Sequence, residues 1–142
     1  MKKILIVEDD KFMADLYQEV LASEGFQPEI CTNGTSAIKQ LATSPPDLVI
    51  LDIMLPGTGG AEVLSSIRAQ ETTRTLPVIV LSNASAYAGE LVRNIQMQGA
   101  NRCLTKAECT PARLLQEVRS VLAAGGSPAG GQDSPSNRPI AL

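Results

Sequence analysis

Apolar residues along this chain fall into two alternating kinds of pattern. Residues 4–7, 48–51 and 78–81 are short unbroken apolar runs, too brief for a helix and suited to strands covered on both faces. Between and after them the apolar residues return at helical spacing. The helical sets are Met13, Leu16, Tyr17, Val20 and Leu21, then Ala37, Ile38 and Leu41, then Val63, Leu64 and Ile67. Two more follow, Tyr87, Leu91, Val92 and Ile95, and finally Leu114, Leu115, Val118, Val121 and Leu122. Residues 27–32 and 101–105 are more mixed and read as two further strands. Breakers separate these segments: Gly25 closes the first helix, Pro45-Pro46 the second, and Gly125 the last. Thr110 and Pro111 stand where a cap and a first helical residue belong.

Strands alternating with helices through short connections call for a parallel sheet with helices on both faces, joined by right-handed crossovers. The first, third and fourth strands are the most apolar and belong in the centre. The second carries Pro28 and Glu29, and with the fifth it suits an edge. The expectation is a flavodoxin-like, doubly wound α/β fold of five parallel strands in order 2-1-3-4-5, with five helices. From Gly125 onward Gly, Pro, Ser and Asn dominate, and too few apolar residues remain to offset the entropy of ordering. Residues 1–124 are therefore expected to form one domain and 125–142 a flexible tail or linker.

Composition narrows the function. The 142 residues are 44% apolar, enough for a core. The net charge of −3 comes without any cluster of Lys or Arg, so direct nucleic-acid binding is not expected. The apolar run after Lys2 and Lys3 is too short for a signal peptide or a membrane span. Cys31, Cys103 and Cys109 are an odd, unpaired set, and there is no histidine. That combination argues for buried reduced thiols in a cytoplasmic protein and against a Ser-His or Cys-His hydrolase.

In an open parallel sheet, ligands bind beyond the carboxyl ends of the strands. Here the first strand leads into Glu8-Asp9-Asp10, the third into Asp52, the fourth into Ser82, and the fifth through Thr105 to Lys106. Any one polar residue in such a place is ordinary, because loops are wet. Acids, a hydroxyl and a cation delivered to one edge together are less so. Crowded carboxylates repel unless one is protonated or a hard cation with oxygen ligands is bound, and Mg²⁺ is the natural candidate. Such a cluster suits phosphoryl transfer, in which the protein mainly positions groups and neutralises charge.

At residues 4–10, 47–57, 76–82, Gly99-Ala100 and Lys106, the chain resembles the receiver domains of bacterial response regulators, over roughly residues 2–123. The resemblance implies that Asp52 accepts a phosphoryl group, that Asp9 binds Mg²⁺ directly and Glu8 through water, and that the Met54 main-chain carbonyl completes the metal site. It further implies that Ser82 hydrogen-bonds the phosphoryl group and Lys106 pairs with its charge. Asp10 is expected to cap a helix or stand behind the ligands. The phosphodonor would be a phosphohistidine on a sensor histidine kinase or phosphotransfer protein. The domain would act as a switch that assists only its own phosphorylation and dephosphorylation, as a monomer or weak dimer.

Two positions depart from the family pattern. Cys103 stands where most receivers carry an aromatic residue, and Ala107 follows Lys106 where proline is common. A trans peptide is expected there, because a non-proline cis bond costs about 2.5–4 kcal/mol. Met54 and Ala84, two residues beyond Asp52 and Ser82, offer no polar group to orient an attacking water, so a long-lived phosphoryl group is expected. A dinucleotide-binding domain would need glycines or hydroxyls where Glu8-Asp9-Asp10 stand. A haloacid-dehalogenase-like phosphatase would need a second acid where Met54 stands. A receiver-like docking scaffold that signals without phosphorylation is the remaining alternative, and the acids and Lys106 argue against it.

Overall fold

The computed structural model describes residues 1–83, 93–95 and 97–124. Five strands form a single parallel sheet: β1 (Lys3–Val7), β2 (Gln27–Cys31), β3 (Leu48–Asp52), β4 (Val78–Ser82) and β5 (Arg102–Thr105). Their order is β2-β1-β3-β4-β5, the flavodoxin-like arrangement expected from the pattern. The bounded helices among the described residues are α1 (Lys11–Ser23), α2 (Gly34–Thr43), α3 (Gly60–Ala69) and α4 (Pro111–Ala123). Residues 93–95 are also helical and carry Ile95, the end of the helix expected between β4 and β5. The rest of that helix, with Tyr87, Leu91 and Val92, lies outside the described residues, as do Ala84, Gly125 and the expected tail. No helix among the described residues is long and apolar enough to cross a membrane.

β3 and β4 are buried at every position because helices cover both faces of the sheet, which is why these strands read as continuous apolar runs. Alternating side chains feed two separate cores. Leu5, Val7, Val49, Leu51, Val78 and Val80 point into one, with Val63, Leu64 and Ile67 of α3. Ile4, Ile6, Leu48, Ile50, Ile79 and Leu81 point into the other, with Tyr17 and Leu21 of α1 and Leu114, Val118 and Val121 of α4. On α1 the fully buried line is Ala14, Tyr17 and Leu21, whereas Leu16 and Val20, expected on the same stripe, are only half-buried. The helix presents one edge of its stripe to the sheet, and the other edge lies along the rim. All three cysteines are free and buried.

The helix ends obey local chemistry. Asp10 caps α1, accepting from the N–H groups of Phe12 and Met13. Asn33 and Thr110 cap α2 and α4 by accepting from Ser36 and Arg113 respectively. Gly25 follows α1 with φ +89°, a conformation that glycine adopts without a steric penalty.

At the amino edge of the sheet, Arg68 from the last turn of α3 ties three segments together. Its Nε and Nη2 donate to the Gly99 carbonyl at 3.0 and 2.7 Å. Nη1 donates to the Arg74 carbonyl at 3.0 Å and Nη2 to Asn101 Oδ1 at 3.2 Å. Asn101 Oδ1 in turn accepts from Val78 N–H at 3.0 Å. Burial draws the guanidinium down to about 10, still charged at neutral pH. Removing it leaves the Gly99 and Arg74 carbonyls without these donors, so Arg68→Met should destabilise the fold by about 2 kcal/mol, measured by urea unfolding. An unchanged midpoint would show that the clamp contributes nothing.

Candidate functional site

The carboxyl edge of the sheet gathers the site. β1 and β3 are adjacent, with Val7 paired to Leu51, so Glu8 and Asp52 emerge side by side. One carboxylate oxygen from each of Glu8, Asp9 and Asp52 lies within 4.8 Å of the others. Glu8 and Asp52 are buried at 1% and 3% exposure, while Asp9 is exposed. Asp10, the fourth acid of the sequence cluster, turns away to cap α1.

Lys106 enters from the end of β5, its N–H donating to the Ser82 carbonyl at 2.8 Å. Its Nζ lies 2.8 Å from Glu8 Oε1 and 3.1 Å from Asp52 Oδ2. The other Asp52 oxygen, Oδ1, accepts from Met54 N–H at 2.9 Å, and Glu8 Oε2 accepts from Asp10 N–H at 3.1 Å. Met54 holds Asp52 through its backbone, and its side chain is 60% exposed. Ser82 is buried at the end of β4, one residue beyond the Asp52–Leu81 pair of the ladder. It therefore belongs to the same edge as Asp52. No cis peptide occurs among the described residues, so the bond from Lys106 to Ala107 is trans, as expected.

The electrostatics are those of an over-acidic pocket. Burial is the main influence on Glu8 and pushes its carboxyl up to about 7, with Asp52 adding to the rise and Lys106 and the Asp10 N–H opposing it. Burial also disfavours the Lys106 ammonium, but its bonds to Glu8 and Asp52 outweigh that and its pKa is raised. Lys106 Nζ pairs with the buried Glu8 Oε1 as well as with Asp52, so both carboxylates draw on the same ammonium. Three carboxylates, each with an oxygen within 4.8 Å of the others, fit a hard cation that binds through oxygen.

The spacing of the sequence predicted that Glu8, Asp9, Asp52, Ser82 and Lys106 share one edge. It did not show that Lys106 engages Glu8 as closely as Asp52. That pairing depends on how far the lysine reaches across β4, and no local motif reports it. Cys103 is nearly fully buried on β5 and its thiol is pushed up to about 12 by burial, the state of an inert core sulfur rather than a redox sensor.

Fold and site together define a small α/β domain with an acid pocket at its carboxyl edge. The family described as response regulator receiver domain matches residues 4–119, and the chain belongs to that family. It is 32% identical over 126 residues to the sensory transduction protein RegX3 of Mycobacterium bovis, covering 89% of this chain and 53% of RegX3. It is 33% identical over 121 residues to the phosphate regulon transcriptional regulatory protein PhoB of Escherichia coli, covering 85% of this chain and 52% of PhoB. The chain thus spans about half the length of the curated relatives it matches. Among solved structures, the signal receiver domain of a signal transduction histidine kinase from Syntrophus aciditrophicus superposes with a TM-score of 0.79 at 30% identity. That match covers 100% of this chain and 98% of the other.

Glu8 gives the metal-free pocket a distinct pH signature. With its folded pKa near 7 against 4.5 as a free side chain, the folded state holds a proton that the unfolded state has lost. Stability from this group is full below pH 4.5 and is lost as pH rises through about 7. In chelator-treated protein, the wild type should lose more stability than Glu8→Gln between about pH 5 and about pH 8. Equal losses by thermal denaturation would contradict the assignment.

Proposed function

We propose that this chain is a phosphoacceptor switch, in which Asp52 receives a phosphoryl group from a phosphohistidine on a sensor histidine kinase or phosphotransfer protein. The observation that carries this reading is Lys106 Nζ set between Glu8 Oε1 and Asp52 Oδ2, at 2.8 and 3.1 Å. A cation shared by a nucleophile and its neighbouring acid is placed to follow charge from one to the other.

Asp9, Glu8, Asp52 and the Met54 carbonyl are the groups that would hold Mg²⁺. Bound there, the ion would neutralise charge on the carboxylates and on the phosphoryl oxygens. An Asp52 carboxylate oxygen attacks phosphorus in line with the departing imidazole nitrogen. The new P–O bond forms as the P–N bond breaks, and the nitrogen leaves with the electron pair. The Met54 N–H fixes the orientation of the Asp52 carboxylate through its bond to Oδ1. Lys106 exchanges its pairing with Asp52 for the added phosphoryl charge, and the Ser82 hydroxyl moves to hydrogen-bond the same group. Ser82 ends β4 and Lys106 follows directly after β5, and the Lys106 N–H donates to the Ser82 carbonyl at 2.8 Å. A shift at one is transmitted to the other, and through β4 and β5 to the surface beyond.

In this reading residues 1–124 are the receiver and 125–142 a tail or linker, and the chain works in the cytoplasm, where sensor kinases present their phosphohistidines. The surface beyond β4 and β5 carries the signal onward, and the chain itself does not bind nucleic acid directly, its net charge being −3 without a cluster of Lys or Arg.

The test is intact-mass spectrometry after incubation with Mg²⁺ and a small acyl phosphate. The wild type should gain one phosphoryl group and keep it through repeated measurement after donor removal, because no side chain at Met54 or Ala84 orients water. Asp52→Ala should gain none. A wild type that gains no mass, or an alanine variant that gains as much, would overturn the proposal.

A further inference from the structure

The segment between β3 and α3, residues 53–59, carries Met54, and so the backbone group that orients Asp52. It is pinned at its base. Gly60 N–H donates to the Ile53 carbonyl at 3.2 Å, and a Cβ at Gly60 would lie 2.5 Å from both the Asp52 carbonyl oxygen and Ile53 Cα. Its crest is held by a different element. Thr58 rests on the first turn of α2, where a Cβ at Gly34 would overlap the Thr58 carbonyl oxygen and come within 3.0 Å of its Cγ2. The Thr35 and Thr58 hydroxyls are 3.2 Å apart.

Gly34 is not required by its backbone conformation. Unlike Gly57, at φ +71°, it is an ordinary helical residue. Only the close approach of Thr58 demands the missing side chain. The approach joins backbone to backbone, so the loop cannot yield by turning a flexible side chain aside.

We propose that Gly34 is a positioning residue for the acid pocket: by letting Thr58 seat on the amino end of α2, it sets the height of the 53–59 loop and with it the placement of the Met54 N–H and carbonyl around Asp52. The inference rests on the proposed metal-dependent function for its effect on Mg²⁺, but not for its effect on Met54. Gly34 lies eighteen residues before Asp52 in the chain, so the sequence gives no hint of the link.

The experiment uses the full chain as Gly34→Ala, with Gly59→Ala as its control. Gly59 has φ −75° and nothing within 4 Å of an added Cβ. In metal-free protein, ¹H–¹⁵N spectra report the Met54 amide, and calorimetry then measures Mg²⁺ affinity. Gly34→Ala should displace the Met54 resonance and weaken Mg²⁺ binding about tenfold, while Gly59→Ala changes neither. A folded Gly34→Ala protein with an unmoved Met54 amide and Mg²⁺ affinity within about twofold of wild type would overturn the proposal. Should Gly34→Ala fail to fold, Thr58→Ala decides. It removes the Thr58 hydroxyl and methyl that help hold the loop on α2, so it should shift the Met54 amide, and an unmoved resonance overturns the inference. If wild type binds no Mg²⁺, the metal-dependent function fails, and the metal-free spectra still decide the role of Gly34.

Discussion

Three carboxylates crowded against one ammonium are the constraint around which this molecule is arranged. Glu8, Asp9 and Asp52 bring three negative charges within a few ångströms when ionised, and Lys106 returns one positive charge, leaving a surplus of two. At such separations in a partly buried setting, like charges cost several kcal/mol. The pocket therefore holds a proton, binds a dication, or does both in turn. The elevated Glu8 carboxyl is a sign of that imbalance. A divalent ion matches the surplus in charge, and a phosphoryl group would reverse it again. This makes the pocket an electrostatic balance rather than a rigid cage.

The fold makes that crowding tolerable. β1, β3 and β4 are locked by two cores, one on each face of the sheet, so the strand ends cannot spread apart to relieve repulsion. Carboxylates on long loops would separate, whereas Asp52 at the end of β3 and Glu8 and Asp9 directly after β1 are held together by the pairing of those strands. The Arg68 clamp at the opposite edge keeps α3 and the approach to β5 in place. The side of the sheet that performs no chemistry is thus held by a fully engaged cation, and the working side by a deficit of cations.

Strand order and much of the pocket could be read from the chain because they rest on period and position. A strand buried on both faces must be continuously apolar, and its first polar residue marks the strand end, which is how Asp52 and Ser82 stand out. Asp10 was ambiguous until the geometry of α1 showed its carboxylate accepting from Phe12 and Met13. The division of α1 into a buried line at Ala14, Tyr17 and Leu21 and a half-buried one at Leu16 and Val20 depends on how the helix rolls on the sheet. Spacing alone does not specify that roll. The seating of Thr58 on Gly34 was invisible for a stronger reason. It joins residues far apart in sequence through backbone atoms, which carry no residue-type signal.

Calorimetry of Mg²⁺ binding in two buffers of different ionisation enthalpy tests the electrostatic account most directly. If the pocket is held partly protonated at Glu8 and is completed by a dication, Mg²⁺ should bind at a single site near neutral pH and release a fraction of a proton. That fraction should vanish at a pH well above 7, where Glu8 is already ionised. No saturable Mg²⁺ binding, or binding whose heat is independent of the buffer at neutral pH, would contradict it.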